Sequence, residues 1–125
     1  MLYTSYLAKL KNLPDEGRKI IIMRWVPKYI DISKYNLEWD PRLAPSELLL
    51  SQYKEKSINF AEFTRRFKEE MELRPDYREA YKEIKEALDA DEDIYLICCE
   101  KDPLECHRTS IRYDFESEGY ECREW

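Results

Sequence analysis

The stretch Ile94-Tyr95-Leu96-Ile97-Cys98-Cys99-Glu100-Lys101-Asp102-Pro103-Leu104-Glu105-Cys106-His107-Arg108 decides the fold of this chain. Its first six residues are a short apolar run without Gly or Pro. That run is too short for a free-standing helix and predicts a buried strand over 94–99. The second half carries helix-start signals. Asp102 is a good N-cap, Pro103 suits the first helical position, and Glu105 falls where a capping box places an acid. A helix is predicted from Pro103 to about Glu118, with Gly119 at its C′ position. Only Glu100 and Lys101 separate strand from helix, so strand end and first helical turn surround one small space. The chain's only histidine, His107, falls there with Cys98, Cys99, Cys106 and Arg108.

Upstream, Met1 to Tyr6 alternates apolar residues and β-formers and predicts a first strand. A short helical piece follows over 7–12, then a turn at Leu13-Pro14-Asp15-Glu16-Gly17. Arg18 to Val26 contains Ile20, Ile21, Ile22 and Met23 in succession, as expected of a strand covered on both faces; Pro27 ends it. Lys28 to Ala44 has weak periodicity and reads as irregular, with at most one helical turn. Pro45-Ser46 opens a helix through Tyr53. Asn59 with Glu62 forms a capping box, and Phe60, Phe63, Phe67 and Met71 recur at helical spacing, predicting a helix over 60–73. Pro75 opens another, whose apolar face is Tyr77, Ala80, Tyr81, Ile84 and Leu88. Residues 120–125 read as a short final strand. The order predicts a single small α/β domain over residues 1–125, with a mostly parallel sheet of about four strands and flanking helices.

Two glycines in 125 residues argue against a sandwich or barrel, which needs many tight turns. The net charge of −6 disfavours nonspecific binding to duplex DNA. No basic region followed by an apolar run marks a signal peptide, and no stretch approaches the ~20 apolar residues of a membrane span. A cytoplasmic protein with four free thiols is therefore expected. The high charged fraction and the single glutamine match the composition of thermophile surfaces.

In a parallel sheet ligands sit beyond the carboxyl ends of the strands. Here those ends bring Thr4, Ser5, Arg24, Cys98 and Glu100 toward the turn. His107 and Arg108 lie in the first turns of the predicted helix, and its buried stripe is read as Leu104, Ile111 and Phe115. Both basic residues then lie near the inward face, at a pole that already carries partial positive charge. Either acids compensate them, with Glu100, Asp102 and Glu105 as candidates, or the space is built for an anion. In the first case Arg108 locks the helix to the turn through an acid and His107 is packed. In the second, Arg108 holds a phosphate or carboxylate and His107 is a neutral acid/base. Cys106, in the helix's first turns beside Arg and His, is a candidate nucleophile. The phosphatase-like Cys-x5-Arg loop is absent: the sixth residue after Cys99 is Glu105, and after Cys98 it is Leu104.

A zinc site is a third option, with Cys98 or Cys99, Cys106, His107 and Cys122 as ligands. The spacing is not a Cys-x2-Cys pair, and adjacent Cys106 and His107 would diverge around a helix, so no metal or other cofactor is predicted. Arg24 interrupts an apolar strand near its end. That is costly unless it is paired or faces the crevice, and it is the second candidate anion ligand, with Thr4 and Ser5 as hydrogen-bond donors. The tyrosines and Trp39 between residues 29 and 53 could form a lid or stack a base, but core cover is the favoured reading, and Phe60/Phe63/Phe67 read as core.

Taken together, Leu96 to Pro103 followed by Cys106-His107-Arg108 resembles the signature of the domain-of-unknown-function 488 family: an apolar strand, Cys-x-Glu, a short turn and Cys-His-Arg. Tyr3-Thr4-Ser5-Tyr6 is similar to that family's first strand, Arg24 with Pro27 to its Arg-x-x-Pro second strand, and Leu43-Ala44-Pro45 to its shorter members. The resemblance implies a small cytoplasmic α/β domain and points to Cys98, Glu100, Cys106, His107, Arg108 and Arg24. It assigns no reaction. Ile22-Met23-Arg24 lacks the acid that many members carry two residues before that arginine. The helix after Cys-His-Arg is also unusually polar here, with Thr109, Ser110, Arg112 and Asp114.

The expected function is an anion-binding, catalytic pocket at this turn, acting on a phosphate compound, a nucleotide or a nucleic-acid end. Arg108, Arg24, Thr4 and Ser5 would bind the anion; Cys106 or Cys98 would attack; His107 would move a proton and Glu100 would orient its neighbours. The alternatives are a non-catalytic module binding a nucleotide, an RNA end or a protein, and a purely structural motif. No membrane partner is expected, and the oligomeric state is left open.

Overall fold

The computed structural model describes residues 1–125. Five strands form one all-parallel sheet: β1 (Leu2–Tyr6), β2 (Arg18–Ile21), β3 (Leu37–Trp39), β4 (Ile94–Cys98) and β5 (Cys122–Glu124). Their order across the sheet is β3-β2-β4-β1-β5. Four α-helices, α1 (Glu47–Lys54), α2 (Phe60–Leu73), α3 (Pro75–Asp89) and α4 (His107–Ser117), complete the domain with three short 3-10 turns.

β4 is central, and all five of its residues are buried. Ile97 lies in register with Ser5 of β1 on one side and Ile21 of β2 on the other. Side chains alternate across a strand, and the two faces meet different layers. Ile94, Leu96 and Cys98 join Leu2, Ile20 and Ile22 beneath the helices. Tyr95 and Ile97 join Ile21 in a smaller core under the 3-10 turn at 7–12 and the chain around Ile30 and Tyr35. Cys98 therefore faces the helical layer because it stands two and four residues from Leu96 and Ile94.

The connection after β2 leads away to β3, whereas the one after β4 leads to β5 on the opposite side. Adjacent β2 and β4 thus form the switch point, where a crevice opens beyond their carboxyl ends.

The helix limits follow from local chemistry. Ser46 Oγ accepts from the N–H of Leu49 at 3.2 Å, and Asn59 Oδ1 from that of Glu62 at 2.9 Å. Gly119 terminates α4 with φ +91°, a conformation that favours glycine.

The expected α/β architecture is present, with a fifth strand. β3 lies in the segment read as irregular. Only Leu37 of its three residues is buried, so it carries no periodicity, and its place depends on pairing with Lys19–Ile21. β2 ends at Ile21 rather than Val26, and β4 at Cys98 rather than Cys99. The largest departure concerns the last helix. Asp102 does cap a turn, accepting from the Leu104 N–H at 2.9 Å, but that turn is a 3-10 piece over Pro103–Glu105. Cys106 is extended, with φ −137° and ψ 142°, and α4 starts only at His107. Leu104, expected in the buried stripe, is 71% exposed because it precedes the helix.

Candidate active site

The break at Cys106 builds the site. As an extended N-cap residue, Cys106 does not fan away from His107 as successive helical residues do. Cys98 Sγ, Cys106 Sγ and a ring nitrogen of His107 all lie within 4.8 Å of one another. Cys98 and Cys106 are each 3% exposed and His107 is 7% exposed. They form the floor of a cavity of about 200 Å³ at the β2/β4 switch point. Met23, Arg24 and Trp25 after β2, and Cys99 and Glu100 after β4, line its sides; Tyr53 and Phe63 from α1 and α2 close it.

The tautomer of His107 follows from its neighbours. Nε2 lies 2.8 Å from the carbonyl oxygen of Ile22, which can only accept, so Nε2 carries the proton. Nδ1 is then free to accept; Cys98 Sγ lies 3.6 Å from it and 4.0 Å from Nε2. The ring is held edge-on against Phe67, with centroids 5.5 Å apart.

The two buried thiols are driven apart in acidity. The neighbouring Cys98 thiol holds Cys106 well below the usual thiol range; His107 and the backbone N–H of Arg108 add to this, while burial opposes it. Cys98 is pushed well above that range by the same contact with Cys106, by Cys99 and by burial. Of the two, Cys106, at the amino end of α4, is the thiol whose ionised form is favoured. Exposed Cys99 is lowered, first through Cys98, and lies 3.7 Å from Glu100 Oε1. Cys122 lies apart on β5, where burial pushes its thiol up to about 11.

Arg108 turns the other way. Its side chain is 0% exposed and does not line the cavity. Nε and Nη2 donate to Glu124 Oε1 and Oε2 at 3.1 and 2.9 Å; Nη1 donates to the Glu100 carbonyl and Nη2 also to that of Lys101. Burial alone would lower its pKa, but the Glu124 hydrogen bonds and the charge of Cys106 outweigh it and raise it. Thr4 Oγ1 donates to Glu124 Oε1 at 2.6 Å, and Ser5 Oγ to the Trp125 carbonyl at 3.4 Å. Thr4 and Ser5 are fully buried and do not line the cavity. The residues expected to share one hollow thus divide: Cys98, Glu100, Cys106, His107 and Arg24 surround the cavity, while Arg108, Thr4 and Ser5 tie β1 and β4 to β5.

The acid that pairs with Arg108 is Glu124, not Glu100, Asp102 or Glu105. It sits in a three-residue strand with too little apolar content to signal a partner. Arg24 does face the crevice. Its Nε and Nη2 donate to the Pro45 carbonyl at 3.1 and 2.9 Å, and Nη2 also to that of Ala44 at 3.2 Å. No carboxylate pairs with it, and its Nη1 makes no hydrogen bond within the protein. Trp25 and Phe63 are not legible as cavity residues, because their apolar character reads equally well as core, while Tyr53 belongs to the aromatic set whose alternative reading is a lid.

No helix is long and apolar enough to cross a membrane. No curated protein and no solved structure matched the chain. A family model did: DUF488-N3a, described as the active DUF488-N3 subclade, matches residues 2–119. That span holds both sheet edges' neighbours, the whole crevice and the Cys-x-Glu and Cys-His-Arg elements, so the chain belongs to the DUF488-N3a family.

Proposed function

We propose that this protein is a thiol-dependent enzyme in which Cys106 attacks one end of a small anionic substrate held by Arg24. The observation that carries this reading is the convergence of Cys98 Sγ, Cys106 Sγ and His107 on the floor of a single cavity. A nucleophile within reach of a proton-holding neighbour, itself oriented by a third group, is the arrangement covalent catalysis needs. Cys106 forms the bond to the electrophilic atom. His107 Nε2–H is committed to the Ile22 carbonyl, so the mobile proton is the one on Cys98 Sγ, 3.6 Å from His107 Nδ1, and it goes to the leaving group.

The cavity is small beside an ordinary ligand pocket of roughly 300–1,000 Å³. It fits a head group rather than a whole cofactor, in keeping with a nucleotide or the end of a nucleic acid. The apolar wall of Trp25, Tyr53 and Phe63 suits a planar body, and Arg24 and Lys54, which have no carboxylate partner, suit a phosphate or carboxylate. Glu100 and Glu105 on the opposite wall are left for orienting polar groups. Arg108 keeps Cys106 in place rather than touching the anion.

A second reading is a pocket that binds the same class of ligand without chemistry, and the near-complete burial of Cys106 favours it. Alkylation separates the two. Reduced, metal-free native protein is treated with iodoacetamide at about pH 7, where an ordinary thiol with a pKa of about 8.5 is mostly protonated. The enzyme reading expects Cys106 to be modified and Cys122 to be spared, with a nucleoside monophosphate slowing the reaction. A Cys106 that stays inert until the chain is denatured rejects nucleophilic catalysis. Binding alone then survives if the nucleotide still raises the Tm and Arg24→Ala abolishes the rise.

A further inference from the structure

We propose that Cys98 Sγ, Cys106 Sγ and His107 Nδ1 are three ligands of a Zn²⁺ site whose fourth position opens into the cavity. This does not rest on the thiol-enzyme reading, because it uses only donor type and geometry.

The donors are the right kind. Two sulfurs and an imidazole nitrogen form a ligand set zinc commonly takes, and three protein ligands with one open position is the pattern of a reactive zinc rather than a structural one. The spacing also fits. With Zn–S bonds of about 2.3 Å and a Zn–N bond of about 2.0–2.1 Å, tetrahedral geometry puts neighbouring ligand atoms about 3.5–3.8 Å apart. Cys98 Sγ and His107 Nδ1 stand 3.6 Å apart, and all three ligand atoms lie within 4.8 Å of one another. Rotation of the thiols about their Cα–Cβ bonds has to close the remaining difference.

An independent observation concerns the far side of the imidazole. A zinc-bound histidine usually donates its other ring N–H to a carbonyl or carboxylate, which fixes the tautomer and aims the ligating nitrogen. His107 makes that bond: its Nε2–H is held by the Ile22 carbonyl at 2.8 Å, which leaves Nδ1, 3.6 Å from Cys98 Sγ, as the ligating nitrogen.

The objection drawn from the sequence was that adjacent Cys106 and His107 diverge around a helix. It is removed by the extended conformation of Cys106. Cys99 and Cys122 are not needed. The cavity reaches all three buried donors, so a water or a substrate atom would fill the fourth position beside Glu100 and Glu105. Binding is mutually exclusive with alkylation, since both thiolates would be committed to the metal.

The test uses Co²⁺ as a spectroscopic stand-in for Zn²⁺, added to the reduced full chain. One Co²⁺ per chain is expected, with a sulfur-to-metal charge-transfer band and the intense visible bands of tetrahedral cobalt, displaced by Zn²⁺. Cys98→Ser, Cys106→Ser and His107→Gln should each weaken binding at least tenfold, while Cys99→Ser and Cys122→Ser leave it unchanged. No stoichiometric band in the wild type, or a band that survives Cys98→Ser or Cys106→Ser, overturns the proposal. If the site variants do not fold, the wild type decides: Zn²⁺ should protect Cys106 from iodoacetamide while Cys99 still reacts, and EDTA should restore reactivity. Where metal-free Cys106 reacts, absence of that protection also overturns it. Cobalt binding with an inert metal-free Cys106 rejects the thiol enzyme and keeps the metal site; a reactive Cys106 with no cobalt binding does the reverse.

Discussion

The Nε2 of His107 donates to the carbonyl of Ile22 across 2.8 Å, joining the first residue of α4 to the residue after β2. These residues are 85 positions apart, and the bond holds the imidazole beside the two sulfurs. It also occupies a carbonyl that would otherwise be buried without a partner. His107→Ala removes the bond and the contact with Phe67 together. Loss of packing and an unpaired buried carbonyl should cost about 2–4 kcal/mol, measured by urea denaturation. His107→Gln, whose amide can still donate, should recover part of that loss. Equal stability of wild type and His107→Ala would contradict the packing described above.

Arg108 and Glu124 form a second long-range tie, with the guanidinium fully buried and the carboxylate partly so. Removing one member strands the other. Arg108→Ala should destabilise the fold by about 3–5 kcal/mol. Glu124→Ala should be comparably harmful, and the double variant should lose much less than the sum of the two. A double-mutant cycle measured by chemical denaturation checks this coupling. Arg108→Lys should not rescue it, because a single ammonium cannot reproduce the paired bonds to both carboxylate oxygens.

The two glycines make an internal control. Both have positive φ, +90° at Gly17 and +91° at Gly119. A Cβ on Gly17 would meet Tyr95 Cε1 at 2.9 Å and the Asp93 carbonyl at 3.1 Å, whereas nothing lies within 4 Å of one on Gly119. Gly119→Ala should cost about 1 kcal/mol, the conformational term alone. Gly17→Ala adds a clash with the backbone beside β4 and should cost about 2 kcal/mol or more. Thermal melts of the two variants test the order.

Asp114 gives a pH prediction. Burial pushes its carboxyl above the ordinary range, against the pull of Arg78 and the hydrogen bond from Tyr77. A carboxyl with a raised folded pKa binds its proton more tightly in the native state. Its favourable contribution is therefore complete below the unfolded pKa and is lost as pH rises through the folded value. Asp114→Asn keeps an acceptor for Tyr77 without the buried charge. It should be at least as stable as the wild type near about pH 7, and the advantage should disappear near about pH 3. Tm measured across that range is the readout; an advantage that grows in acid would reverse the assignment.

Much of this protein was written in local pattern. The apolar run at 94–98, the Asn59 cap with its phenylalanine stripe, and Pro75 each mark an element through nearest neighbours, and α2, α3 and β4 formed where those signals lie. That Cys98, Glu100, Cys106 and His107 meet at one turn also followed from short spacing, because few residues separate them. What the tertiary structure alone decided was direction. Cys106 is extended rather than helical, which brings its sulfur to His107 instead of away from it. Arg108 turns to Glu124 and leaves the cavity to Arg24, and β3 exists only because β2 offers it an edge. Such choices depend on hydrogen-bond partners far away in the chain, and a buried polar group takes whichever partner the fold brings within reach.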